Sequence, residues 1–154
     1  MSGSVQVEWD DSLSVGVPFI DEQHKRLIEI INKLDMACKQ GQAREVVGQL
    51  IHGLGEYAIY HFAAEQDQMR LTEYPEMAAH VAEHQAFIKK LMEIDSKFKS
   101  SNVLLSSEIL LFLRNWYLDH IRLVDRKLGA YLNTRQRERQ PDDPVEPPAP
   151  EQVD

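Results

Sequence analysis

A single cysteine, Cys38, leaves this chain of 154 residues unable to close an internal disulfide or build a thiolate cluster. Any metal ligands must therefore come from His, Asp and Glu. Basic residues are also in short supply: 17 Lys and Arg stand against 25 Asp and Glu, a formal net charge of -8. With a pI near 5.2, the chain lacks the basic stripe that nucleic acid or an anionic membrane surface would require. No uninterrupted apolar run approaches the ~20 residues that span a bilayer. The opening "MSGSVQVEWD" has neither the positively charged start nor the apolar core of an export signal. A cytoplasmic protein is expected. Alternation of apolar and polar residues is missing as well, so no stretch competes as a β-strand.

What remains is helical periodicity, and it predicts an all-α domain over residues 1–133. The first helix follows Pro18 and runs to about Lys39, with Ile20, His24, Leu27, Ile31, Leu34 and Cys38 on one face and Gly41 marking its end. The second runs from about Ala43 to Arg70, with Leu54, Ala58, His61, Glu65 and Met69 inward. Pro75 is placed to open the third, which buries His80, His84, Phe87, Leu91, Ile94 and Phe98 and stops near Ser100. The fourth starts after Asn102 and presents Leu113, Trp116, Tyr117, His120 and Leu128. Short connections force consecutive helices antiparallel, giving an up-down-up-down four-helix bundle. The segment before Pro18, with Trp9 and several valines, is expected to lie across the bundle as an ordered arm. From 134 to 154 the character changes: "RQRERQPDDPVEPPAPEQVD" holds five of the seven prolines and almost no apolar residues. It cannot repay the entropy of ordering and should form a disordered, acidic tail.

Residues four apart on a helix differ by only about 40° in direction, so His61 and Glu65 point together, as do His80 and His84 in "HVAEH". Antiparallel packing sets the start of one helix beside the end of the next. His24 and the His80/His84 pair lie near helix starts, whereas His61, Glu65 and His120 lie toward helix ends, so all fall in one layer at one end of the bundle. Buried without partners, each histidine would cost roughly 1 to 3 kcal/mol. A metal removes that cost. Five imidazoles exceed what one ion takes while keeping an open position, and a carboxylate can bridge two ions, so two metals are the natural count. By ligand softness alone iron, manganese and zinc all suit the set. His52, nine residues before His61, points about 180° away and faces solvent.

A second bridging carboxylate is required. Asp125 is the candidate, although five residues on a regular helix turn it about 140° from His120. A local distortion such as a one-residue π-bulge is therefore predicted between them. Asp119 is the rival, more naturally placed on the surface.

These residues resemble the hemerythrins, in particular the single-domain bacterial ones, over about residues 7–132. The likeness rests on "VGVPFIDEQHKRL", "HFAAEQDQM", "HVAEH" and "WYLDHIRLVD". It implies two irons joined by an oxo or hydroxo group from solvent and by two carboxylates. His80, His84 and His120 would hold one, His24 and His61 the other, with Glu65 and Asp125 as bridges. The second iron would then keep an open position for dioxygen, near the apolar residues Leu27, Phe62, Trp116 and Ile121. Gln66 departs from the acidic residue that often follows the bridging Glu, a position outside the ligand set.

The function implied is reversible dioxygen binding, for transport, storage or delivery to an oxygen-consuming enzyme, by a monomer that is not itself an enzyme. Five neutral imidazoles favour high-valent iron less than the four or so carboxylates of diiron oxygenases do. Two alternatives remain open. One is a diiron enzyme acting on nitric oxide or peroxide, with Tyr57, Tyr60 and Tyr117 as the nearest participants. The other is an oxygen-sensing interaction module whose tail docks a partner.

Overall fold

Pro18, whose missing N–H and fixed φ suit a first helical position, opens α1 (Pro18–Lys39) in a computed structural model that describes residues 6–100 and 105–139. α1 stops where Gly41 takes a left-handed φ of 65° and the Gln42 N–H closes onto the Ala37 carbonyl at 3.0 Å. α2 (Arg44–Leu71) follows, then α3 (Met77–Ser100). The last rod consists of α4 (Ser107–Asp119), a π-helical turn (His120–Asp125) and α5 (Arg126–Arg139). No strand occurs among the described residues. α1 packs against α2 and α4, and α2 against α3, which is the expected up-down-up-down bundle.

Three boundaries differ from expectation for local reasons. α3 begins at Met77 and not at Pro75, because Glu73 adopts a φ of 55° and the Tyr74 N–H returns to the Met69 carbonyl (2.8 Å), holding the chain in a turn. α4 begins at Ser107 because the Ser106 hydroxyl caps it, accepting from the Ile109 N–H at 3.2 Å. α5 runs past residue 133 to Arg139, since nothing before Pro141 breaks a helix and Arg135 pairs with Glu138 at 3.6 Å. The remainder of the expected tail, 140–154, lies outside the described residues.

The arm before α1 is ordered, as its apolar content predicted. Leu13, Val15 and Val17 are buried. The Val7 backbone exchanges two hydrogen bonds of 2.9 Å with the Asn32 amide, and Asp21 receives the Ser14 hydroxyl (2.6 Å) and the Val15 N–H (2.9 Å). Farther along, the arm crosses α5 at Gly129. A Cβ at that position would meet the Val15 carbonyl oxygen at 2.0 Å, so only glycine admits the crossing. The arm thereby ties the first helix to the last, at the end of the bundle where the histidines lie. Apolar side chains such as Leu34, Leu54, Leu91 and Leu113 fill the other end, leaving the polar layer confined to one.

Candidate metal centre

His24 stands in the second turn of α1, His61 and Glu65 one turn apart late in α2, and His80 and His84 one turn apart at the start of α3. His120 and Asp125 are the first and last residues of the π-helical turn. An i→i+5 turn stacks residues five apart, so the extra residue cancels the phase error that a regular helix would impose. Asp119 is exposed, and so is His52, which pairs with Glu56 at 2.8 Å. All seven inward groups are buried.

Each carboxylate divides its two oxygens between two sets of imidazoles. Glu65 Oε2 faces the Nε2 atoms of His24 (3.5 Å) and His61 (3.2 Å), while Oε1 faces His80 (3.4 Å) and His84 (3.0 Å). Asp125 Oδ2 lies 3.0 Å from His24, and Oδ1 lies 3.0 Å from His80 and 3.1 Å from His120. Two ligand clusters result: Glu65, His80, His84, His120 and Asp125 form one, and His24, His61, Glu65 and Asp125 form the other, with donor atoms in each within 4.8 Å of one another. Despite these short separations, all five Nε2 atoms and all four carboxylate oxygens lack a properly oriented hydrogen-bond partner. They point at shared interior points instead of at each other. Buried acceptors so directed are stabilised by a cation at each point, and imidazole with carboxylate is a donor set that suits iron.

Electrostatics without metal follow the same geometry. Burial lowers the His24 and His80 pKa values, but the Asp125 and Glu65 carboxylates outweigh it and raise both to about 9. His84 is pulled down to about 4 by burial, with only Glu65 opposing. Burial and, at Asp125, the neighbouring Glu65 charge push the two carboxyl pKa values up. The surrounding imidazoles prevail and hold both below the ordinary range.

A family model, the hemerythrin HHE cation binding domain, matches residues 15–132. A bacteriohemerythrin of Stenotrophomonas maltophilia is 37% identical over 136 residues, covering 86% of this chain and 88% of the relative. The chain belongs to the hemerythrin family. A bacteriohemerythrin of Methylococcus capsulatus is 31% identical, covering 76% of this chain and 88% of the relative. A crystal structure of wild-type hemerythrin superposes with a TM-score of 0.77 at 29% identity, covering 82% of this chain and 97% of that one. The four-helix bundle is thus that of the hemerythrin family, and it holds a histidine and carboxylate cluster able to bind metal. Among the described residues, no helix is long and apolar enough to cross a membrane.

Residues around this hemerythrin's cluster show what periodicity missed. His61 Nδ1–H donates to Gln23 Oε1 at 2.8 Å, and His84 Nδ1–H donates to Gln66 Oε1 at 3.2 Å. Each bond places the free lone pair on Nε2, toward the cluster. Gln66 stood out as a family departure; Gln23 carried no signal beyond adjoining His24. Leu27 and Ile121 are fully buried. The two aromatics stack on imidazoles. Trp116, half-buried, stacks on His120 (4.8 Å between ring centroids, 11°), and Phe62 stacks on His84 (3.8 Å, 9°). Both therefore cover chiefly the three-histidine group, although Phe62 also reaches the His61 ring at 5.7 Å. The aromatic edge beside His24 belongs to Tyr117 (5.8 Å, 86°).

Proposed function

We propose that this hemerythrin binds dioxygen reversibly at a diiron centre. His80, His84 and His120 would hold one iron and His24 and His61 the other, with Glu65 and Asp125 shared between the two and an oxo or hydroxo group supplied by solvent. The observation that carries this reading is the division of each carboxylate between a three-histidine and a two-histidine group. With that asymmetry the two-histidine group would offer its ion one protein ligand fewer. Iron bound there would supply the electrons and the coordination position that dioxygen needs.

The chain's own residues do the rest. Gln23 and Gln66 fix the tautomers of His61 and His84, so each imidazole presents a lone pair without reorganising. Leu27 and Ile121, with no exposed surface, exclude water from the interior and with it the proton supply that would discharge a reduced ligand. Five neutral imidazoles limit anionic charge, which favours binding over oxygen cleavage. Metal analysis with optical spectra of the oxidised, reduced and air-exposed protein tests the reading. Two irons per chain and a visible band that appears in air and is lost under vacuum are expected. One metal or none, or multiple turnovers of nitric oxide or peroxide, would refute it.

A further inference from the structure

Tyr117 is buried to 1% exposure, and its hydroxyl has no hydrogen-bond partner. Tyr131 shows how this fold satisfies a phenol: its hydroxyl donates to the backbone carbonyls of Thr72 and Glu73. A packing residue at 117 would need no hydroxyl, because phenylalanine fills the same space without the desolvation cost of an orphaned donor. The ring lies edge-on to His24, in the two-histidine group, and also neighbours Phe87 (6.3 Å between centroids). Within electrostatic reach lie Glu65 and Asp125, yet neither accepts a hydrogen bond from it. A donor is therefore held, dry and unspent, on a ring that adjoins the two-histidine group.

We infer that the Tyr117 hydroxyl is a hydrogen-bond donor to the small ligand at the open position beside His24, and so a determinant of how long dioxygen stays bound. This rests on the diiron reading above. The chemistry recognised is a compact acceptor bearing lone pairs, dioxygen drawn toward negative charge or a linear anion such as azide. A neutral or apolar ligand of the same size would gain nothing from the hydroxyl. The hydroxyl is itself buried, so bulk water does not compete for it, which makes the single bond more valuable than at a wet site.

Iron-loaded full-length protein should be compared as wild type, Tyr117→Phe and Tyr117→Leu. Azide is titrated onto the oxidised form, and dioxygen release from the reduced form is followed by stopped flow. Tyr117→Phe, which deletes only the hydroxyl, should weaken azide and speed dioxygen release by about tenfold or more, the scale of a hydrogen bond to a charged acceptor. Tyr117→Leu should match or exceed it. In metal-free protein the denaturation midpoint of Tyr117→Phe should be unchanged or higher, because the hydroxyl has no protein partner to lose. Unchanged azide affinity and release rate in Tyr117→Phe, with normal dioxygen binding, would overturn the role of Tyr117 and leave the carrier reading intact. A lowered midpoint in the metal-free variant would make the hydroxyl structural and overturn it too. Weaker azide binding in Tyr117→Phe, in a protein that does not bind dioxygen reversibly, would sustain the donor role and sink the carrier reading. A chain that takes up no iron sinks both.

Discussion

Replacing Gln23 with leucine removes the acceptor that holds His61 Nδ1–H at 2.8 Å inside the bundle, where Gln23 is 8% exposed and water cannot substitute. Leucine is apolar and of comparable size, so packing changes little. The buried N–H is left unpaired, at a cost of about 1 to 3 kcal/mol. Part of that cost appears in the metal-free protein. The rest appears only on loading, because an imidazole that gives its Nε2 lone pair to a cation becomes a stronger N–H donor. Loss of such an outer partner typically weakens metal binding about 10- to 100-fold, or about 1.4 to 2.8 kcal/mol. Gln66→Leu should do less: its bond to His84 is longer, at 3.2 Å, and Gln66 is only half-buried, so solvent can replace it. Competition with a chelator of known affinity, alongside denaturation of the metal-free proteins, separates the two contributions. Equal metal affinity in wild type and Gln23→Leu would refute the outer-partner role, and a larger loss in Gln66→Leu would refute the ranking by burial.

Other consequences follow from particular contacts. Glu65→Ala or His120→Ala should lose metal, since each removes donors from a cluster of buried ligands, whereas His52→Ala, whose side chain is 63% exposed, should keep the wild-type iron content by elemental analysis. Gly129→Ala should lower the unfolding free energy measured by urea titration by at least the 1 to 3 kcal/mol, roughly, of an overpacked core, because its Cβ would sit 2.0 Å from the Val15 carbonyl oxygen and lift the arm from α5. In the metal-free protein, His24 and His80 have pKa values raised to about 9. Their stabilisation is full below the unfolded value of about 6.5 and is lost as pH rises through 9. A denaturation midpoint that fails to drop between pH 6.5 and 9.5 would contradict those shifts. For the same reason, loading at pH 7.5 should release about two protons per chain from His24 and His80, in addition to those lost by the solvent molecule that forms the bridge, measurable in weak buffer.

Two properties of the sequence settled the bundle and the place of its polar layer: the 3.6-residue period of the apolar positions and the alternation of histidines between helix starts and helix ends. Both are local quantities, since phase and height along a rod depend only on counting residues. The same counting exposed the misfit of Asp125 with His120, so the π-helical turn was legible as a contradiction before it was visible as a shape. Counting failed where the answer depended on a neighbouring helix. Which oxygen of Glu65 faces which imidazole, that Gln23 on α1 reaches His61 on α2, and that Trp116 covers His120 while Tyr117 meets His24 are set by how four rods rotate and approach one another. Residues 116 and 117 share one inward face in the sequence pattern, yet about 100° of rotation between them is enough to assign them to different halves of the site. Periodicity says that a side chain points inward, and only packing decides what it meets there.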